Sequence, residues 1–217
     1  MTITLQLPGV KLGTLEADGL RVAPAGEELA REMDTVCERM RSRLTIEQVA
    51  GLDSIRGVRA MFRAWGIDPS KYRPSSEALT RRVVQGKGLY RLSNVVDIVN
   101  LGSVETGWPY GCYDAGKLTG PIVFRHGQQG ETYERIGRAM WHLHGQPVLA
   151  DQQGPFGSPM SDSTRTMITE QTTSLLLTIF APLDASNEKL QQALERFAVL
   201  LSRHAAAQAP RMAVVLP

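Results

Sequence analysis

The sequence predicts a protein of the α+β class, and three observations support this. Most of the first half shows helical periodicity, whereas the second half holds apolar, β-branched segments separated by Gly- and Pro-rich stretches. A strand-like alternation also opens the chain, in TITLQL. The 217 residues are 42% hydrophobic and 21% charged, as in an ordinary globular domain. We therefore expect a single domain over residues 1–217 that combines helices and strands in one fold.

Residues 1–72 are expected to form a strand pair followed by helices. TITLQL is the first strand, and the segment near Lys11–Glu16 is the second. Apolar residues at spacings of three and four then predict an amphipathic helix through Leu29, Met33, Val36, Met40 and Leu44. Another helix is predicted from Ser54 to Trp65, because Gly66 follows as a C-terminal stop.

The middle and end of the chain predict further helices and strands. A helix is expected to begin at Ser75, whose hydroxyl would cap the first N–H groups. Residues Asn94–Glu105 are ambiguous, since the run NVVDIVN favours a strand, but a capping Asn94 and the Gly107–Pro109 stop favour a helix, which we adopt. The remaining predicted elements are strands at PIVFR, Arg138–Ala150 and SLLLTIF, and an amphipathic helix at SNEKLQQALERFAVLLSRH.

Composition and motifs exclude several classes of protein. No run approaches ~18 uninterrupted apolar residues, and MTITLQLPGVK lacks the regions of a signal peptide. We therefore expect a cytoplasmic protein without a membrane partner, whose cysteines, Cys37 and Cys112, stay reduced. The sequence has no glycine-rich phosphate loop, C-x-x-C or H-E-x-x-H, so no cofactor and no metal is predicted. His142 and His144 would share one strand face, but no third ligand accompanies them.

Positive charge is concentrated in one part of the sequence. From Arg31 to Arg91 there are 13 Lys and Arg residues against 7 Asp and Glu residues, although the whole chain carries a net charge of only +2. Such a region can contact phosphates, or it can be a solvated helix face balanced by acids elsewhere. The candidate phosphate contacts are Arg81, Arg82, Lys87 and Arg91.

Two groups of polar residues are candidates for a binding site. Asn94, Asp97 and Asn100 recur every three residues in an apolar segment, so on a helix they form a polar stripe. They either bond other elements of the fold or form the wall of a ligand pocket, because buried polar groups need partners. The second group is SDSTRT, residues 161–166, which comes shortly before the strand near Ser174 and is either a plain turn or a set of binding groups.

Five sequence blocks, in order, carry a resemblance to a known family. They are RPSSEALTRRVVQGKGL, NVVDIVNLGSVETGWPYGCYD, LTGPIVFRHGQQGE, VLAD and SDSTRTMITEQTTSLLLTIFA. In this order they resemble the B3/B4 editing domain of the phenylalanyl-tRNA synthetase beta subunit and its freestanding relatives, and the resemblance extends over about Arg73–His204. The resemblance implies a mixed β-sheet sandwich or barrel-like core with flanking helices. It also implies a module that acts alone, since 217 residues cannot also hold the synthetase's catalytic core.

The resemblance implies an activity and a set of pocket residues. In that family the domain hydrolyses tyrosine mischarged onto phenylalanine tRNA, with a positioned water rather than a covalent nucleophile. The family's polar pocket residues are kept at Asp97, Asn100, Tyr113 and Asp114, whereas its arginine, histidine and glutamate are replaced by Tyr90, Gly111 and Thr164. Freestanding relatives share the pattern found here at Ser163, Arg165, Thr166 and Thr169.

Three functions are compatible with these residues and this resemblance. The first is a freestanding aminoacyl-tRNA deacylase for an amino acid that the sequence does not name, with tRNA or aminoacyl-tRNA as its partner and no binding to DNA. The second is a non-catalytic tRNA- or RNA-binding module, which the lost histidine and glutamate favour. The third is a binder of a free amino acid or similar small molecule that reuses the pocket, which the modest net charge favours.

Overall fold

Two four-stranded sheets and five helices make up the fold. A computed structural model describes all residues, 1–217. The strands are β1 (Ile3–Leu5), β2 (Val10–Asp18), β3 (Tyr110–Asp114), β4 (Ile122–His126), β5 (Thr132–Glu134), β6 (Met140–His142), β7 (Pro147–Asp151), β8 (Gly154–Gly157), β9 (Ser174–Pro182) and β10 (Gln208–Val215). The helices are α1 (Glu27–Arg43), α2 (Asp53–Ala64), α3 (Ser75–Val84), α4 (Asn94–Thr106) and α5 (Asn187–Ala205). The α+β prediction is confirmed.

The sheets are open and pack as a sandwich. One has the strand order β1-β4-β7-β8 and the other β10-β2-β9-β3, and β5 and β6 form a separate hairpin. Only β1 and β4 are parallel to each other. Phe124 of the first sheet contacts Phe180 of the second, with ring centroids 5.3 Å apart, and Tyr113 contacts Phe156 at 4.8 Å. Aromatic rings thus fill the space between the sheets. Neither sheet closes into a barrel.

Strand β9 lies at the centre of its sheet, between β2 and β3. Its residues after Ser174 are all buried, as expected for an unbroken apolar run covered on both faces. The outer face of this sheet packs on α5, where Leu190 contacts the backbone at Gly13. A side chain at Gly13 would collide with Leu190, so glycine permits the close approach of α5 to β2.

The ambiguous segment after Ser93 is a helix, α4, as predicted. Its cap is Ser93, whose hydroxyl accepts a hydrogen bond from the Val96 amide, and not Asn94. The helix ends at Gly107, whose φ of 74° is the left-handed conformation that glycine adopts at helix C-termini. The predicted serine cap of α3 is wrong, because Pro74 holds the cap position and the Ser75 hydroxyl bonds no partner.

The second half of the chain departs from the prediction in several of its strands. The expected strand over Arg138–Ala150 is divided into β6 and β7, because a turn around Gly145, with a φ of 72°, separates them. The short strands β5 and β8 are not predicted by the sequence pattern, and neither are β3 and β10. The sequences of β3 and β10, YGCYD and QAPRMAVV, contain Gly, Asp and Pro, which are rare in strands. Both lie at sheet edges, where pairing with an inner strand stabilises them.

No helix combines the length and the apolar character needed to cross a bilayer. No three His, Cys, Asp or Glu side chains are grouped so that they could hold a metal ion.

Candidate functional site

A cavity of about 430 Å³ lies between α4, β3 and the loop that precedes β9. Helix α4 contributes one wall, because Val96, Val99 and Ser103 recur at helical spacing on its inner face. Strand β3 contributes the opposite wall through Tyr110 and Cys112, which alternate with residues that face away. The other lining residues are Val22, Ala23, Pro24, Ser75, Leu79, Leu92, Ser93, Asn100, Ile136, Asp162, Met167, Ile168, Thr169 and Glu170.

The three polar residues predicted to form a stripe on α4 have different environments. Asn100 lines the cavity, and its carboxamide makes no hydrogen bond within the chain. Asn94 is buried, and its carboxamide bonds the backbone of Ala23, Val95, Arg21 and His204. Asn94 therefore links α4 to the segment that follows β2 and to the last turn of α5. Its carboxamide has no hydrogen-bond donor or acceptor left for a ligand.

Asp97 is also buried away from the cavity. Its Oδ1 accepts a hydrogen bond from the Leu92 amide at 2.9 Å, which holds the segment that leads into α4. Burial raises the pKa of the Asp97 carboxyl group, and the Leu92 amide opposes this effect only in part. Asp97 therefore fixes the cavity edge at Leu92 without lining the cavity itself.

Asp162 is the half-buried acid of the cavity. Its Oδ1 accepts hydrogen bonds from the Tyr113 hydroxyl at 3.0 Å and the Ser158 amide at 3.2 Å. Burial raises the pKa of Asp162 to about 7, although these donors lower it. Burial also raises the pKa of the neighbouring Cys112 thiol, so the thiol is neutral near pH 7. The cavity thus holds a carboxyl group that titrates near neutral pH beside an unreactive thiol.

The other predicted residues of β3 lie behind the cavity wall. Tyr113 is fully buried and reaches Asp162 from the far side of the strand. A Cβ at Gly111 would overlap the Tyr113 hydroxyl, so this hydroxyl fills the space that a side chain at position 111 would take. Asp114 caps the turn that follows, because it accepts hydrogen bonds from the Gly116 amide at 3.0 Å and the Thr172 hydroxyl at 2.8 Å.

Arg165 lies outside the cavity, where it holds a buried carboxylate. Its guanidinium makes two hydrogen bonds to Asp151, at 2.8 and 3.2 Å, and others to the carbonyl oxygens of Lys117 and Gly154. The Asp151 side chain is fully buried, and this two-point geometry is the one that arginine makes best with a carboxylate. The Arg165 guanidinium is therefore already bound to a carboxylate of the same chain, Asp151.

The neighbours of Arg165 also have partners within the fold, with one exception. The Ser163 hydroxyl accepts a hydrogen bond from the Arg165 amide, Thr164 bonds Glu134 at 3.3 Å, and Thr166 is buried against the Phe156 carbonyl. Thr169 lines the cavity. The two predicted stretches, some sixty positions apart, therefore meet at the cavity, but they do so through Asn100 and Thr169.

Two of the four predicted phosphate contacts form ion pairs within the chain, and two do not. Arg81 bonds the buried Glu77 at 2.9 Å, and Arg91 pairs with Asp34. Arg82 and Lys87 make no ion pair, and Lys87 is exposed. Glu77 also pairs with Arg59 and Arg73, so this cluster keeps a net positive charge, and only Arg91 has a carboxylate to itself.

The sequence does not single out Asp162 or Cys112 as cavity residues. Asp162 is the only residue of SDSTRT that lines the cavity, and the neighbouring residues in the sequence do not indicate this. The alternation of β3, which places Tyr110 and Cys112 on one face, becomes a usable signal only once this segment is known to be a strand.

Comparisons with known proteins give consistent matches over much of the chain. A family model described as "B3/4 domain" matches residues 57–206. The phenylalanine–tRNA ligase beta subunit of Nocardia farcinica is 32% identical over 120 residues, which is 54% of this chain and 14% of that protein. The same subunit of Cutibacterium acnes is 30% identical over 106 residues, which is 48% of this chain and 12% of that protein. This chain therefore matches only about an eighth of the length of these relatives.

One solved structure is also similar in fold. It is an N-terminal fragment of the phenylalanyl-tRNA synthetase beta-subunit from Pyrococcus horikoshii. The match has a TM-score of 0.48 at 14% identity, and it covers 97% of this chain and 50% of that chain.

Proposed function

The chain belongs to the B3/4 domain family, and on that premise we propose that it hydrolyses a mischarged aminoacyl-tRNA. The observation that carries the proposal is the cavity of about 430 Å³, in which the Asn100 carboxamide makes no hydrogen bond within the chain. Small-molecule sites are cavities of ~300–1,000 Å³ with mostly apolar walls and a few polar groups, and this cavity has those features. An amino acid esterified to a ribose offers an apolar side chain, an ammonium group and an ester, which such a site can bind.

The polar groups of the cavity suit the parts of an aminoacyl ester. The Asn100 carboxamide can donate a hydrogen bond to the ester carbonyl, and Asp162 and Glu170 can accept bonds from the α-ammonium group. Val96, Val99 and nearby apolar residues supply a surface for the amino acid side chain. The proposed site therefore binds the substrate by orientation and polar contacts.

The nucleophile of the proposed reaction is water. The Cys112 thiol is neutral near pH 7 because burial raises its pKa, and a thiol is a much weaker nucleophile than a thiolate. Water adds to the ester carbonyl carbon, the bond from that carbon to the ribose oxygen breaks, and the ribose oxygen takes up a proton. The products are the free amino acid and the uncharged tRNA.

The proposed partner rests on the relatives. The matched curated proteins are phenylalanine–tRNA ligase beta subunits, whose name includes tRNA as a substrate. Because this chain matches about an eighth of their length, their whole activity does not transfer. What we propose is one step, ester hydrolysis, on a tRNA that another enzyme has charged.

The test measures the release of amino acids from a panel of mischarged tRNAs. The wild-type chain should release at least one amino acid faster than buffer does. Asn100→Ala should reduce this rate about tenfold or more, because a lost hydrogen bond to a reacting group costs ~1.5–3 kcal/mol. Val96→Phe should also reduce it, because the larger side chain narrows the cavity at the α4 wall.

The matched control is Gln191→Ala, which removes a carboxamide from α5 outside the cavity. It should keep the wild-type rate. The proposal fails if no ester in the panel is released faster than in buffer, or if Asn100→Ala and Gln191→Ala have the same rate.

A second candidate function is the binding of a free amino acid without hydrolysis. The ion pair of Arg91 with Asp34 favours it, because it neutralises one of the cations expected to attract tRNA. This function predicts that a single amino acid raises the Tm of the protein and that Asn100→Ala abolishes the shift, with no ester released.

A further inference from the structure

The segment between α3 and α4 carries exposed apolar side chains to the edge of the cavity. Leu92 and Ser93 line the cavity, and Leu92 is 65% exposed. Tyr90, two residues earlier, is 47% exposed. Asp97 holds the segment in place through the Leu92 amide. An exposed aromatic ring therefore lies two residues before the cavity-lining Leu92.

One face of the Tyr90 ring is covered by a cation. The Arg82 guanidinium lies 4.0 Å from the ring centroid, which is a cation–π contact. Its Nη2 also donates a hydrogen bond to the Lys87 carbonyl at 3.3 Å, so the chain fixes the guanidinium. Since nearly half of Tyr90 is exposed, its other face is open to solvent. The ring is ordered before any partner binds.

Uncompensated positive charge surrounds this ring. Lys87 is exposed and has no ion pair, and Arg41 approaches Gly86 in the same turn. Asp34 and Glu38 line the adjacent small cleft together with Arg41, and Asp34 is paired with Arg91. The neighbouring cations, Arg41, Arg82, Lys87 and Arg91, therefore outnumber these two acids. A phosphate near Tyr90 would meet a net positive charge.

We propose that the Tyr90–Arg82 pair is a stacking platform for an unpaired base at the 3′ end of tRNA. This inference rests on the proposed function. The ester lies on the terminal ribose, so when the aminoacyl group occupies the cavity, a terminal base must lie just outside its entrance. An exposed aromatic face beside cations is the surface that binds single-stranded nucleotides, through stacking and phosphate contacts.

The test measures binding of uncharged tRNA, which needs no knowledge of the amino acid. Two transcripts serve as probes, one with its complete single-stranded 3′ end and one without its unpaired 3′-terminal nucleotides. Tyr90→Ala should raise the Kd for the complete transcript about tenfold, the order expected for one lost base–aromatic stack. It should leave the Kd for the truncated transcript unchanged.

The controls separate stacking from a general loss of structure. Tyr90→Phe keeps the ring and should bind as the wild type does. Arg63→Ala removes an exposed cation from α2 and should lower affinity for both transcripts equally or not at all. The platform is overturned if the wild-type protein binds neither transcript. It is also overturned if Tyr90→Ala changes neither Kd, or if this substitution raises the Kd for both transcripts to the same extent.

A parallel measurement distinguishes failure of the platform from failure of the proposed function. If no mischarged tRNA is hydrolysed but Tyr90→Ala still weakens binding of the complete transcript alone, the hydrolysis proposal falls and the platform holds. If hydrolysis occurs and its KM is the same for Tyr90→Ala and wild type, the platform falls and the hydrolysis proposal holds.

Discussion

Replacing Arg165 with alanine should destabilise the fold by about 3 kcal/mol. The substitution leaves the Asp151 carboxylate, whose side chain is fully buried, without its cationic partner. Breaking a buried ion pair from one side costs ~3–5 kcal/mol. The lower end applies, because Asp151 keeps hydrogen bonds from the Thr119 and Gln153 amides and water can reach Arg165, whose side chain is 26% exposed.

Denaturant and thermal unfolding measure this loss. For a chain of this size, about 3 kcal/mol corresponds to a fall in Tm of ~6–12 °C. Asp151→Asn added to Arg165→Ala should recover part of the loss, since it removes the unpaired buried charge. Arg203→Ala is the matched control, because Arg203 pairs with Glu28 at the surface, with both side chains more than half exposed. It should cost less than ~1 kcal/mol.

The outcome decides between two roles for Arg165. If Arg165→Ala unfolds at the same denaturant concentration as Arg203→Ala, the guanidinium does not hold Asp151, and the structural role is refuted. A loss of ester hydrolysis without a loss of stability would assign Arg165 to the substrate, as its sequence pattern suggests.

Two further predictions concern the half-buried Asp162 and the buried Asn94. Asp162 has a folded-state pKa of about 7 against a usual value of 3.8, so between these pH values the folded state binds more protons and wild-type stability should fall as pH rises. Asp162→Asn removes this effect, so the stability of the variant relative to wild type should rise from pH 4 to 7 and then level off. If the Tm values of the two proteins change with pH in parallel, this prediction is contradicted. Asn94→Ala should cost about 3 kcal/mol, because four hydrogen bonds to buried backbone groups are lost, and Asn94→Asp should not rescue it, since it lacks the amide donors. Denaturant unfolding that shows either variant to be as stable as wild type would count against this role.

The cavity shows which polar residues can be assigned in advance. The sequence predicts that Asn100 and Thr169 bind ligand, and both line the cavity, but whether they bind an ester stays a prediction. Asn94 belongs to the same sequence stripe, yet its partners are backbone groups of Arg21, Ala23 and His204. Those partners lie 71 to 110 positions away in sequence, so local spacing could not reveal them.

Local spacing is also insufficient to separate the roles of the neighbouring cations Arg81 and Arg82. Arg82 and Arg81 are adjacent in sequence, and composition treats them alike. Helix geometry points Arg81 at Glu77, one turn earlier, whereas Arg82 stacks on Tyr90 across the following turn. The ion pair at four-residue spacing was predictable, but the stack was not, because it depends on how the glycine turn folds back.

The order of apolar and polar residues by itself determined the fold class, all five helices and the buried central strand. Apolar periodicity predicts α1, α2 and α5, and an apolar, β-branched run predicts the central strand. Helices α3 and α4 follow from signals at their ends, which are equally local. Only the tertiary structure decided which acid enters the cavity, which asparagine is free to bind and which arginine is occupied. Those outcomes depend on hydrogen-bond partners from distant segments, and a polar side chain is available to a ligand only when the fold leaves it without such a partner.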